Sequence, residues 1–215
     1  MHTSRFQAVI FDLDGVITDT AHYNFLAWKH LAESQKVKFD LAFNEQLKGI
    51  DRMGSLDLIL ASSSRRYTPA EKQALAEAKN AHYQALIATM SSADVLPGAL
   101  AALAAARAAG LKIGLASVSK NALSVLQKLG ITHHFDYIVD AALIANSKPD
   151  PEIFLTAERH LGVEAGACLG VEDAVAGVAA IKAAGMFALG IGRPDVLTQA
   201  DIVIASLTHF DLQQY

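Results

Sequence analysis

The sequence predicts an α/β fold, in which an open parallel β-sheet carries an α-helical domain inserted after its first strand. Short apolar, β-branched runs alternate with helical patterns through the last half of the chain, as in a parallel sheet with helical crossovers. The segment 17–93 interrupts this alternation with several helical patterns and no convincing strand. We therefore expect a discontinuous α/β core over 1–16 and 94–215 and a helical domain over 17–93. A single domain with long excursions is the alternative.

The predicted strands are apolar runs without alternation, which is typical of strands buried on both faces. They cover Ala8–Phe11, Lys112–Ala116, Tyr137–Val139, Ala167–Val171, Phe187–Ile191 and Ile202–Ile204. Each predicted core helix is followed by a glycine that suits a helix C-terminus. These helices cover Gly98–Ala109, Asn121–Leu129, Pro151–Leu161 and Ala174–Ala184.

Two patterns predict helices in the inserted segment. Apolar residues recur at helical spacing around Trp28 and Leu31. Thr68 precedes Pro69 and Glu71, which places an N-cap, a proline in the first turn and a glutamate at the third helical position. We expect this second helix to run to about Met90.

Composition excludes several classes of protein. The 215 residues carry a formal net charge of −4 and are 52% hydrophobic and 19% charged, so the chain is not disordered. It has no basic block for a nucleic acid or an anionic membrane, and no signal peptide or membrane-length apolar run. The single cysteine, Cys168, excludes an internal disulfide and is predicted to be a packed strand residue. We expect a soluble, cytoplasmic monomer that binds neither nucleic acid nor membrane.

Two aspartates follow the first predicted strand. Asp12 comes directly after Phe11, Asp14 stands two residues later, and Gly15 follows Asp14. In an open α/β sheet, ligands bind beyond the carboxyl ends of the strands, so both carboxylates are expected in the ligand crevice. Like charges this close need a cation or a proton between them. The alternative is that the two aspartates only cap a turn.

Other strand ends carry further polar groups. Taken singly, Ser117 is explained as an N-cap, Lys148 as a surface lysine, and Glu172 with Asp173 as the cap of the next helix. Because parallel strands end at one edge of a sheet, these groups should instead converge with the aspartates. The set predicts an oxygen-rich Mg²⁺ site beside a phosphate site.

These motifs, in this order and spacing, resemble the haloacid dehalogenase (HAD) superfamily of phosphotransferases. The resemblance implies a Rossmann-like parallel-sheet core with an inserted α-helical cap. It further implies that Asp12 is the nucleophile and Asp14 the general acid/base, and that Ser117 and Lys148 hold the transferred phosphoryl group. Mg²⁺ is implied to bind to Asp12, the main-chain carbonyl of Asp14, Glu172 and Asp173.

The chain, in cap and core, is more specifically similar to the β-phosphoglucomutase family. This likeness rests on Asp19-Thr20-Ala21, the stretch from Phe43 to Arg52, Lys79-Asn80, Ser117 to Asn121, and Gly190 to Pro194. It implies interconversion of β-D-glucose 1-phosphate and D-glucose 6-phosphate through β-glucose 1,6-bisphosphate. Arg52, Ser119 and Asn121 are then expected to hold the phosphate that is not being transferred. The implied substrate and cap residues are Lys48, Gly49, Ser55, Trp28, Lys79 and Asn24.

The chain departs from the family pattern at Asn24. The mutases typically carry His at this position, where it is linked to cap closure. His22 lies two positions earlier, which is about 200° around a helix, so it cannot substitute. A sugar-phosphate phosphatase, in which water takes the phosphoryl group, is the alternative function. A sugar-phosphate binding protein without catalysis is a third reading, which the intact catalytic set disfavours.

Overall fold

A parallel sheet forms the centre of the molecule. The computed structural model describes residues 5–47 and 50–215, and within them six parallel strands pair in the order β3-β2-β1-β4-β5-β6. The strands are β1 (Ala8–Phe11), β2 (Lys112–Leu115), β3 (Tyr137–Ile138), β4 (Cys168–Glu172), β5 (Phe187–Ile191) and β6 (Ile202–Ile204). This order predicts a ligand crevice beside β1, where the sequence order of the strands reverses. The predicted fold class is confirmed.

The continuous apolarity of the strands follows from helices on both faces of the sheet. Along β1, Val9 and Phe11 pack into one buried cluster, while Ala8 and Ile10 pack into the cluster on the opposite face. Successive side chains of a strand point to opposite faces, so a strand covered on both sides needs an apolar residue at every position.

Helices of the core flank the strands, and helices of the inserted segment lie together. The helices of eight or more residues are α1 (Ala21–Ser34), α3 (Arg52–Ala61), α4 (Pro69–Ile87), α5 (Ala99–Ala108), α6 (Ala122–Leu129), α7 (Glu152–Leu161) and α8 (Val175–Ala183), and α2 (Leu41–Glu45) is shorter. The capping box at Thr68 is present as predicted. The helix it opens ends at Ile87, before the predicted Met90, because the Met90 amide closes a turn onto the Ile87 carbonyl.

The inserted helices have a buried cluster of their own. Trp28 and Leu31 of α1 pack there with Leu56 and Ile59 of α3. The two connections to the core run side by side, where the Leu96 amide donates to the Ile17 carbonyl at 2.9 Å. The sequence limits of the two domains, at 16/17 and 93/94, stay a prediction.

Two further observations concern membrane spanning and the single cysteine. No helix among the described residues is both long and apolar enough to span a membrane. Cys168 is fully buried in β4, and burial raises the pKa of its thiol to about 12. A thiol with such a pKa stays protonated and unreactive, as expected for a packed strand residue.

Candidate active site

The site lies at the carboxyl ends of the central strands. Phe11 pairs with Val171 in the parallel ladder between β1 and β4, so Asp12 and Glu172 stand side by side at the same sheet edge. Ser117 follows β2, on the other side of β1, and is buried. Lys148 reaches the same point from the loop after β3. Neighbouring strands therefore deliver four polar side chains to one crevice.

Lys148 joins the two buried carboxylates. Its Nζ donates to Asp12 Oδ1 at 2.6 Å and to Glu172 Oε2 at 2.7 Å, and the three side chains are at most 9% exposed. Burial by itself would lower the pKa of Lys148, but the two carboxylates hold it above its ordinary value. Burial and the charge of Glu172 raise the pKa of Asp12, against the opposing effect of Lys148. Nearby positive charge therefore favours the carboxylate form of Asp12, and burial disfavours it.

A third carboxylate completes an acidic cluster. Oxygen atoms of Asp12, Glu172 and Asp173 lie within 4.8 Å of one another, a donor set suited to a hard divalent cation such as Mg²⁺. Two glycines leave room for this arrangement. At position 15 any other residue would clash, because its Cβ would come within 2.1 Å of Asp173 Oδ2. A Cβ on Gly177 would come within 2.0 Å of the Glu172 carboxylate. The residues present thus fit a bound cation.

Asp14 is held by the first residues of the cap. Its Oδ1 accepts a hydrogen bond from the Thr20 amide at 2.9 Å and another from the Thr20 hydroxyl. Burial raises the pKa of Asp14 above its ordinary value, although the bonds from Thr20 act in the opposite direction. A raised pKa makes the protonated form of Asp14 easier to reach, and a general acid/base group needs both its protonated and its charged form.

Arg52 faces the core from the first turn of α3. Its Nη2 donates to Asn80 Oδ1 at 2.9 Å, and the same amide oxygen accepts from Asn121 Nδ2 of the core at 2.7 Å. Burial lowers the pKa of Arg52, but a guanidinium stays charged at any physiological pH. The cap thus presents a fixed, half-buried positive charge to the crevice.

Lys79 is a buried cation within the cap. Its Nζ donates to Asn24 Oδ1 at 2.7 Å and lies 4.4 Å from the centre of the Trp28 ring. Burial, reinforced by the charge of Arg52, lowers the pKa of Lys79 to about 7. Asn24 Nδ2 in turn donates to Thr20 Oγ1 at 3.2 Å. Asn24 therefore links Lys79 to the threonine that holds Asp14, while His22 is exposed.

All described residues of the predicted site line one cavity of about 370 Å³ between core and cap. They are Asp12, Asp14, Asn24, Trp28, Arg52, Ser55, Lys79, Ser117, Ser119, Asn121, Lys148, Glu172 and Asp173. The predicted cap residues Lys48 and Gly49 lie outside the described residues. The volume suits a phosphorylated monosaccharide, since ligand pockets start at about 300 Å³.

Three residues that contact the site residues have no role in the predictions made from the sequence. Thr20 and Asn80 belong to motifs that carry the family likeness, yet only the fold brings them to Asp14 and Arg52. The signal in the sequence that could have identified them is a polar side chain close to the motif residues. Gly177 has no such signal, because one glycine within a helical pattern does not reveal which side chain lies against it.

Comparisons with known proteins agree with this geometry. The family model described as "haloacid dehalogenase-like hydrolase" matches residues 6–185. The β-phosphoglucomutase of Bacillus subtilis is 49% identical over 96% of this chain and 92% of its own length. The chain belongs to the β-phosphoglucomutase branch of the haloacid dehalogenase family.

Solved structures and more distant relatives show the breadth of the haloacid dehalogenase family. The crystal structure of β-phosphoglucomutase from Clostridium difficile superposes with a TM-score of 0.95, at 45% identity over 97% of this chain and 95% of that one. The fructose-1-phosphate phosphatase of Escherichia coli is 28% identical over 87% of this chain and 97% of its own length. Both proteins act on phosphorylated sugars by name, and the first has the higher identity.

Proposed function

We propose that this chain is a Mg²⁺-dependent β-phosphoglucomutase. It interconverts β-D-glucose 1-phosphate and D-glucose 6-phosphate through an aspartyl phosphate and β-glucose 1,6-bisphosphate. The observation that carries the proposal is that two cations, Lys148 of the core and Arg52 of the cap, line the same cavity. A phosphatase needs to grip one phosphate, whereas a mutase that works through a bisphosphate must grip two.

Asp12 is the nucleophile in this proposal. Its carboxylate oxygen attacks the phosphorus, the bond from phosphorus to the sugar oxygen breaks, and an acyl phosphate remains on Asp12. Two anions must approach each other in this step, so Lys148, 2.6 Å from Asp12, neutralises part of the charge. Mg²⁺ bound to Asp12, Glu172 and Asp173 would supply further charge neutralisation.

Asp14 transfers the proton. When the sugar oxygen leaves phosphorus, the protonated Asp14 donates to it, and in the return step the carboxylate accepts the proton of the attacking hydroxyl. Thr20 holds the Asp14 carboxyl group through both its amide and its hydroxyl. These bonds link the acid/base group to the beginning of the cap.

Arg52 holds the second phosphate while the first reacts. A guanidinium binds phosphate through paired hydrogen bonds and does so equally well for a phosphate on C1 or on C6. Ser119 and Asn121 extend this pocket from the core side. The bisphosphate can therefore bind in either orientation, and each of its phosphates can reach Asp12 in turn.

The cap also keeps water away from the aspartyl phosphate. Asn121 accepts from Gln84 Nε2 at 3.2 Å and donates to Asn80, so α4 lies directly over the core residues of the site. Exclusion of water lets a sugar hydroxyl compete for the phosphoryl group.

We place the enzyme in the cytoplasm, as a monomer that acts on small sugar phosphates.

The alternative is a sugar-phosphate phosphatase, and the observation that favours it is Asn24. Asn24 hydrogen-bonds to both Lys79 and Thr20 but cannot carry the charge of a histidine. If the cap closes less firmly without that charge, water reaches the aspartyl phosphate.

One assay separates the two functions. Purified protein receives β-glucose 1-phosphate, Mg²⁺ and a trace of β-glucose 1,6-bisphosphate, and glucose 6-phosphate and free phosphate are followed together. We expect glucose 6-phosphate to form much faster than phosphate. Formation of phosphate alone would replace the mutase with the phosphatase.

A further inference from the structure

A hydrogen bond joins cap and core at a distance from the reacting groups. The Ser147 hydroxyl, in the loop after β3, donates to Asp51 Oδ2 at 2.7 Å. The other oxygen of Asp51 accepts from the amides of Met53 and Gly54 at 2.8 and 3.0 Å. One carboxylate therefore caps α3 with Oδ1 and binds the core with Oδ2.

The two residues that form this hydrogen bond are sequence neighbours of the two cations of the site. Asp51 immediately precedes Arg52, and Ser147 immediately precedes Lys148. Arg52 faces the cavity from the helix that Asp51 caps, and Lys148 is fixed by Asp12 and Glu172. The contact thus joins the core to the cap at the residues next to Lys148 and Arg52, the two cations proposed to bind phosphate.

The carboxylate of Asp51 is charged when it makes this bond. Burial would raise the pKa of Asp51, but hydrogen bonds from Gly54, Ser147 and Met53 hold it below its ordinary value. A hydroxyl that donates to a carboxylate makes a stronger bond than one that donates to a neutral acceptor. Both side chains are partly buried, which limits competition from water.

We propose that Asp51 and Ser147 are positioning residues that set the distance between Arg52 and Lys148 in the closed enzyme. This inference rests on the proposed function. A bisphosphate holds its two phosphates at a limited range of separations, so a cap displaced by a fraction of an ångström grips one phosphate poorly. The sugar hydroxyl is then misplaced and water reaches the aspartyl phosphate. Asp51 and Ser147 thereby favour transfer to the sugar over hydrolysis.

Two single variants remove the bond from opposite sides. Ser147→Ala deletes the donor, and Asp51→Ser keeps an N-cap for α3 but has no second oxygen for Ser147. We expect each to raise the ratio of phosphate released to glucose 6-phosphate formed by about fivefold, equivalent to about 1 kcal/mol. The double variant should show the same increase as either single variant, because the two changes remove one interaction.

Two further variants separate positioning from general damage. Asp51→Asn retains an oxygen for the helix amides and an amide that can bond to the Ser147 hydroxyl, so it should restore a ratio close to wild type. Asp40→Ser is the matched control, since Asp40 caps α2 through the Phe43 amide. Thermal unfolding of every variant checks that it is folded.

Each outcome bears on a different statement. Equal ratios in wild type, Ser147→Ala and Asp51→Ser would overturn the positioning role while the mutase stands. Additive effects in the double variant would also overturn it, because the residues would then act separately. Wild-type protein that releases only phosphate would overturn the proposed function and the positioning role together.

Discussion

Lys148 Nζ lies 2.6 Å from Asp12 Oδ1 in a cleft where the lysine side chain is 2% exposed and the aspartate 9%. The two residues are separated by 136 positions in the chain, and each compensates for the cost of burying the other's charge. A buried ion pair of this kind is weak support for stability. Its place at the carboxyl end of β1, where ligands bind in an open α/β sheet, supports the proposal that Asp12 is the nucleophile.

Asp12→Ala should abolish all turnover, because no phosphoenzyme can form. The measurement is formation of glucose 6-phosphate and of phosphate from β-glucose 1-phosphate, together with labelling of the protein by a phosphate donor. Asp57→Ala, which changes an exposed aspartate of α3, is the control and should leave both activities unchanged. Turnover that survives in Asp12→Ala would exclude this residue as the nucleophile.

Asp14→Asn should lower kcat by about 10²–10⁴-fold, the range usual for loss of a general acid/base group. The amide can still accept the two hydrogen bonds from Thr20, so the geometry is kept and only proton transfer is lost. Donors with a good leaving group need no proton and should phosphorylate the variant at a rate close to wild type. Full activity of Asp14→Asn with glucose 1-phosphate would rule out the acid/base role.

Arg52→Ala should lower kcat/KM for the mutase by about 10–100-fold, since hydrogen bonds to a charged phosphate are each worth about 1.5–3 kcal/mol. Transfer to water from a small phosphate donor should change little, because such a donor has no second phosphate. Arg66→Ala, at an exposed position, is the matched control. Equal loss of both activities would mean that Arg52 supports the structure and not the second phosphate.

Lys79→Met should remove a pH dependence of stability. Burial lowers the pKa of Lys79 from 10.5 to about 7, so between these values the unfolded chain binds a proton that the folded chain has released. Stability therefore rises with pH in this window, by up to about 1.4 kcal/mol per pH unit. Urea unfolding at pH 7 and pH 9 should show this rise in wild type but not in the variant.

Lys128→Met provides the comparison for Lys79→Met, because Lys128 is exposed on α6. It should keep the pH dependence of wild type. If Lys79→Met also keeps it, Lys79 is not the group that titrates in this range.

Mg²⁺ should stabilise the folded protein through the acidic cluster at the ends of β1 and β4. Binding to the folded state alone contributes about 2.7 kcal/mol at a concentration 100 times the dissociation constant. The test is the rise of Tm on addition of MgCl₂ and its reversal by EDTA, with Asp173→Asn as the variant that should reduce the rise. An equal rise in the variant would place the ion elsewhere.

Much of the core is predictable from local pattern. β1, β5 and β6 begin and end where their apolar runs do, because residues of each strand pack against the buried clusters on both faces of the sheet. The boundaries of β4 were less predictable. The strand continues through Glu172, which pairs with Gly190 in the ladder, so a residue expected just beyond the strand is its last member. Ladder pairing extends a strand past the end of its apolar pattern.

Local sequence patterns are enough to predict the parallel α/β core, the inserted helices, and the polar residues that gather at the strand ends. These features follow from periodicity and from the rule that parallel strands end at one edge. Tertiary structure alone decided which groups touch across the cavity: Asn80 with Arg52 and Asn121, Asn24 with Lys79, and Asp51 with Ser147. The last pair is 96 residues apart in the chain. Such contacts depend on how helices and loops that are distant in the chain pack together, and no local sequence pattern encodes that packing.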